Sequence, residues 1–227
     1  MRPLPILCYH KVGPESEEGR WLNVEPARLE SHVRFFARRG RRFVLPRELA
    51  AWPTEPAVCF TFDDAYVSAV SLAPPIFLRH RATAAFYAVP RHVGGASDWD
   101  GEKARGLADW GELSTLAAQG FEVGNHSMTH PRMAEIDADA CLREAQEARA
   151  ALEEHNLAPA SFCYPYGSLN AAAMVAVQAS GHMVGLALGK RMAKESDDRL
   201  ALPRIVVAFS DALPKLLYKM YLRPLLP

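Results

Sequence analysis

The stretch CFTFDDAYVSA (Cys59–Ala69) sets an apolar, β-type run directly against two adjacent aspartates, Asp63 and Asp64. A buried strand that ends on two neighbouring negative charges carries a cost. Burial penalises each carboxylate, and each raises the energy of the other. Something elsewhere in the chain has to compensate them. In folds made of parallel strands, the C-terminal ends of the strands are where such groups collect.

The surrounding sequence supplies those strands. Short apolar runs (PILCYH, RFVL, AVCFTF, ATAAFYAV, FEVGNHS, SFCYPY, MVGLAL, LPRIVV) alternate with helical patterns. The segment PARLESHVRFFARRG reads as a helix with Pro26 in its first turn, Leu29, Val33 and Phe36 on one face, and Gly40 as the stop. DADACLREAQEARAALEEHN is rich in Ala, Leu and Glu and reads as another. AYVSAVSLAPPIFLRHR reads as helical on both sides of a proline break. About seven such alternations imply parallel strands with right-handed crossovers. The expected fold is α/β, a distorted and incomplete (β/α) barrel of about seven parallel strands, forming a single domain over residues 1–227. A doubly wound open sheet is the alternative.

Composition removes several classes of function. The 26 basic and 26 acidic side chains cancel to a formal net charge of +0, which argues against a nucleic-acid partner held by a global basic field. The local cluster Arg34, Arg38, Arg39, Arg41 and Arg42 reads as the solvated end of a helix. The four cysteines, Cys8, Cys59, Cys141 and Cys163, form no C-x-x-C pair, so a zinc knuckle or thiol redox motif is not indicated. The start, MRPLPILCYHKVG, lacks a signal-peptide apolar core, and no run is long enough to span a membrane. The expectation is a cytoplasmic protein. A leucine-rich, cationic helix at about 210–222 could add peripheral inner-membrane contact. Oligomeric state is left open.

Two further strand ends carry chemistry. GNHSMTH holds His126 and His130, four residues apart and followed by Pro131; CYPYG holds Tyr166. The glutamate of H-E-x-x-H is absent, so the zincin reading fails. Two histidines and one aspartate make three protein ligands, the number expected at a catalytic metal site with positions left open. A divalent cation is also the strongest local compensation for adjacent carboxylates. Successive strand residues point to opposite faces, so Asp63 and Asp64 can share a site only if the strand is already breaking into a loop. One can then ligate the metal and the other act as general base, though one could instead cap the following helix.

Taken in order, TFDDAY, HSMTH and FCYPYG resemble the first three motifs of the NodB-homology polysaccharide deacetylases, carbohydrate esterase family 4. ILCYHKV and LPRIVV resemble the branch that includes poly-N-acetylglucosamine deacetylases, and the similarity runs roughly from Leu4 to Val207. The resemblance implies a distorted (β/α) barrel and hydrolysis of an N-acetyl group on an amino sugar. It implies Asp63 as catalytic base and Asp64, His126 and His130 as ligands of one divalent ion: Zn²⁺ first, with Co²⁺, Ni²⁺ or Fe²⁺ also compatible. It places Tyr166 where a backbone N–H helps to stabilise the oxyanion. The partner it implies is an N-acetylated saccharide.

Two departures stand out. Cys163 occupies the position of an arginine that contacts the base, and Arg204 of LPRIVV is the candidate to replace it. The late Leu-x-His motif that supplies the acid is missing, and His10, at the end of the first strand, is the candidate there. His182 reads as exposed and structural. Trp110 resembles a tryptophan lining the acceptor pocket, with ordinary helix–barrel packing as the equal alternative, and stands beside Asp109 as a helix cap. HVGGASDWDGEKARG reads as a long mobile loop at the rim. Two readings remain beside deacetylation: the same chemistry on another small amide or imide, and an inactive saccharide-binding barrel.

Overall fold

The strand–helix rhythm closes on itself. In the computed structural model, which describes residues 3–225, seven parallel strands form a barrel: β1 (Ile6–Tyr9), β2 (Ala57–Phe62), β3 (Ala85–Ala88), β4 (Glu122–Asn125), β5 (Ser161–Cys163), β6 (Val184–Gly189) and β7 (Leu202–Val206). Each strand pairs with the next, and β7 and β2 both pair with β1 to shut the ring. The open sheet is thereby excluded. The two-residue strand Arg42–Phe43 lies beside β2 outside the closure, and this leaves the barrel one strand short of eight. The β4–β5 junction is aligned only at Asn125 opposite Phe162, so the ring is most distorted beside His126.

Strand alternation separates two apolar layers. Outward residues Phe60 and Phe62 of β2 and Phe86 of β3 meet α1 (Pro26–Arg38) and α2 (Val67–Arg79) through Phe36 and Phe77. These rings pack in edge-on and stacked pairs with centroids 4.7–5.9 Å apart. Inward residues Ile6, Cys59, Ala85, Tyr87, Cys163, Leu186 and Leu202 fill the barrel. Gly124 on β4 leaves room for Tyr87, because a Cβ there would lie 2.3 Å from that ring. Along the same inward rows, one or two steps further toward the C-terminal ends, come Asp63, Arg204, His126 and His10. The alternation that builds the core therefore also aims the chemistry.

Besides a single helical turn at Glu15–Glu18, the remaining α-helices are α3 (Trp110–Ala118), α4 (Ala138–Glu154), α5 (Ala171–Ala179) and α6 (Leu213–Leu217). Asp109, Asp137 and Asn170 cap the first three by accepting hydrogen bonds from the backbone three residues on.

Three expectations need correction. α2 does not break at its prolines: Pro74 and Pro75 sit inside one helix. The two missing N–H groups release the carbonyls of Val70 and Ser71; Ser71 is solvent-exposed and Pro74 packs inward. The rim segment after β3 is folded rather than a bare loop. It carries a 3₁₀ turn at Asp98–Lys103, fully buried Ser97 and bridges Ala96–Gly106 and Tyr66–Leu107. The cationic C-terminal helix is α-helical only over α6, then continues as a π turn, Tyr218–Leu222, and a 3₁₀ turn. Its lysines Lys215 and Lys219 both reach buried Asp211. Among the described residues, no helix is long and apolar enough to cross a membrane.

Candidate active site

The strand β2 ends as its two aspartates require. Asp63 continues the inward row, its N–H donating to the Tyr9 carbonyl. At Asp64 and Ala65 the backbone turns left-handed, with φ of 67° and 50°. That reversal brings the Asp64 carboxylate to the same rim as Asp63. Left-handed φ is costly for residues with a Cβ. It recurs here at Ser127, His130 and Tyr166, so five of the strained positions surround one site.

Asp64, His126 and His130 converge. One carboxylate oxygen of Asp64 lies 3.4 Å from His126 Nε2 and 3.2 Å from His130 Nε2. It is buried and makes no hydrogen bond. His126 Nδ1 donates to the Cys163 carbonyl at 2.7 Å. A neutral His126 therefore presents a bare Nε2 lone pair to the carboxylate. Buried lone pairs aimed at one another need a cation between them. The separations match the edge of a tetrahedron whose ligand bonds are about 2.0–2.1 Å, roughly 3.3 Å. The three side chains therefore fit a divalent metal. Burial alone would raise the Asp64 carboxyl, but the two imidazoles hold it far below the carboxylate range. Burial lowers His126 as well; Asp64 and Asp63 outweigh this and leave it raised. For His130 burial prevails, and its value is lowered.

The turn holding the histidines has its own scaffold. Asn125 accepts from the Ser127 N–H at 2.8 Å, and Ser127 Oγ accepts from the His130 N–H at 3.1 Å. Glu144 of α4 accepts from the Met128 and Thr129 N–H groups. His182 belongs to this scaffold. It is 2% exposed, within hydrogen-bond reach of Asn125 and Ser180, and its pKa is pushed down to about 4 by burial and then by Arg149. The expectation of an exposed histidine is therefore overturned. The turn after α5 tucks His182 under β4.

Asp63 also lies within 4.8 Å of His126, but it is held by Arg204. The guanidinium, wholly buried, donates to both Asp63 oxygens at 2.6 and 2.7 Å. Its remaining donors meet Thr61 Oγ1, the Ala187 carbonyl and Cys163 Sγ. Arg204 thus reaches Asp63 from β7, passing Cys163 on the way. Burial would raise the Asp63 carboxyl; Arg204, chiefly, holds it well below its ordinary value. Asp63 is ionised at every physiological pH.

His10 Nε2 lies 3.9 Å from Asp63, and its buried Nδ1 has no partner. Tyr166, 42% exposed, forms the outer wall: its ring meets His130 edge-on at 4.6 Å and carries Arg132 over its face at 4.3 Å. Trp110 is elsewhere. Its indole stacks on His155 at 3.8 Å, beyond the C-terminal end of α4, so it packs helices and does not line the pocket. Another tryptophan takes the place beside the site. Trp99, from the rim segment, stacks on His130 at 4.1 Å and 22°. Nothing in the pattern of its glycine- and acid-rich surroundings marked it.

Residues 51–185 match the profile of the family described as Polysaccharide deacetylase. Across 212 residues the chain is 21% identical to YxkH of Bacillus subtilis (strain 168), which bears that family's name, covering 90% of this chain and 71% of the relative. Its backbone superposes on a deacetylase of Streptococcus pyogenes, PplD, solved with acetate, with a TM-score of 0.82 at 21% identity over 96% and 98% of the two chains. IcaB from Ammonifex degensii gives 0.76 at 22% identity over 94% and 95%. At these identities the structural matches establish the shared fold.

Proposed function

Because the chain belongs to the polysaccharide deacetylase family, we propose that it is a divalent-metal-dependent hydrolase that removes N-acetyl groups from an amino sugar in a polysaccharide, oligosaccharide or lipid-linked glycan. The observation that carries this is the pairing of a three-ligand set, Asp64, His126 and His130, with a second buried carboxylate that takes no part in it.

A metal held there, Zn²⁺ by preference for two imidazoles and a carboxylate, would supply Lewis-acid charge at the rim. The chain's own residues do the rest. Asp63, ionised and fixed by the Arg204 fork, accepts a proton from the attacking water as its oxygen adds to the acetamide carbonyl carbon. A carboxylate this acidic is a weak base, so it serves only a water whose proton is already loosened. Tyr166, at a left-handed turn beside His130, is assigned the backbone N–H that stabilises the developing oxyanion. His10, beside Asp63, protonates the sugar nitrogen as the C–N bond breaks, and acetate and a free amine leave. A cytoplasmic setting, with substrates made inside the cell, accords with this reading.

The test is acetate release from a panel of N-acetylated sugars, oligosaccharides and lipid-linked precursors, by wild type and by Asp63→Asn. The variant should lose about 10²–10⁴ in rate while keeping its metal. An Asp63→Asn protein as fast as wild type, or a wild type that releases acetate from no member of the panel, would sink the proposal.

A further inference from the structure

The two histidines of the metal site are supported differently. A metal-binding imidazole almost always donates its second N–H to a carbonyl, a carboxylate or water, which fixes the ring's tautomer and direction. His126 does so, through the Cys163 carbonyl. His130 does not: its Nδ1 is buried without a partner. The ring is enclosed by π faces instead. Trp99 lies nearly parallel to it at 4.1 Å, and Tyr166 stands edge-on at 4.6 Å.

We propose that Trp99 is the positioning residue of His130, replacing by face-to-face stacking the hydrogen bond that this ligand lacks. The indole is itself anchored on both sides. Asp100, its neighbour, accepts from the Tyr66 hydroxyl and from Ser97 Oγ, and Tyr66 follows Asp64 by two residues. His92 packs edge-on against the indole at 5.1 Å. The backbone around it is fixed by Ser97 N–H donating to the Arg105 carbonyl at 3.0 Å and by the Tyr66–Leu107 bridge. The rim segment therefore reaches both sides of the ligand set, gripping Tyr66 after Asp64 and covering His130. Stacking restrains the tilt of the imidazole while leaving its Nε2 free toward Asp64.

This inference rests on the metal-site reading above, and its test separates the two. The dissociation constant of Zn²⁺ is measured by chelator competition for wild type, Trp99→Phe, Trp99→Leu and Trp99→Ala, with apo-protein melting as the control for folding. Loss of the support should weaken binding by about 10–100-fold in Trp99→Ala and Trp99→Leu, the usual effect of removing a ligand's outer partner. Trp99→Phe keeps an aromatic face and should bind close to wild type. A merely structural tryptophan would lower the melting temperature and leave the zinc affinity unmoved. If Trp99→Ala fails to fold, the comparison of Trp99→Leu with Trp99→Phe decides. Equal affinity across the variants overturns the role of Trp99 while leaving the metal site intact. A wild type that binds no Zn²⁺ overturns both.

Discussion

Replacing Arg204 by Met removes the counter-charge of Asp63 and keeps most of the side-chain volume. The carboxylate would remain at 4% exposure, with Cys8 Sγ 3.4 Å away and His10, His126 and Cys163 also close to it. Breaking a buried ion pair from one side costs about 3–5 kcal/mol, since a lone charge is left in a medium that cannot solvate it. For a domain of this size that is a fall in Tm of roughly 6–20 °C. The sign of the pH dependence follows. Without Arg204, burial controls Asp63, and its folded pKa rises above the unfolded value. The folded protein then binds the extra proton, so the penalty is small near pH 5 and grows toward pH 8. Catalysis should follow the same group: the acid limb of the rate profile moves upward, because the base is protonated where the wild-type base is ionised. Melts across that pH range, with acetate release beside them, provide the assay. Asp63→Asn/Arg204→Met should be more stable than Arg204→Met alone, since the orphaned charge is gone. An Arg204→Met protein with the wild-type melt and pH profile would refute the claim that this guanidinium sustains the base.

Further outcomes follow from the same geometry. His10→Ala should bind metal as wild type does and lose most turnover, as measured by Zn²⁺ titration beside acetate release; near wild-type turnover would remove His10 as the acid. Buried His32, within 3.0 Å of the Tyr9 hydroxyl, and His182 both have pKa values lowered to about 4, mainly by burial. Each then contributes up to about 3 kcal/mol that is fully present above the unfolded value near 6.5 and lost as pH falls toward 4. Urea midpoints should therefore drop between pH 7 and pH 4.5, and a flat midpoint would contradict the assignment.

The parts of the fold that were legible in the chain were those governed by local rules. AVCFTF became β2 over the same residues, Ala57–Phe62, because an apolar run of that length bounded by Pro56 and two aspartates has few alternatives. The sharing of one rim by Asp63 and Asp64 was legible as a requirement that the strand break, and the left-handed turn supplies the break. Arg204 was legible only through the absence of an arginine at Cys163, since the two meet across 41 residues of sequence. What stayed hidden depended on tertiary packing. His182 looked exposed beside Gly181, yet the turn after α5 seats it against Asn125. Trp99 and Trp110 are alike in sequence surroundings, both tryptophans next to acidic residues; which of them meets the site depends on how a 3₁₀ turn folds back over His130. Pro74 and Pro75 suggested a break that packing against the barrel overrode.

The most direct test of the account is metal reconstitution. Chelator-stripped protein should lose acetate release and regain it on titration with Zn²⁺, saturating at about one equivalent per chain, as a single three-ligand site requires. Stripped protein that turns over as fast as untreated protein would contradict the account at its centre.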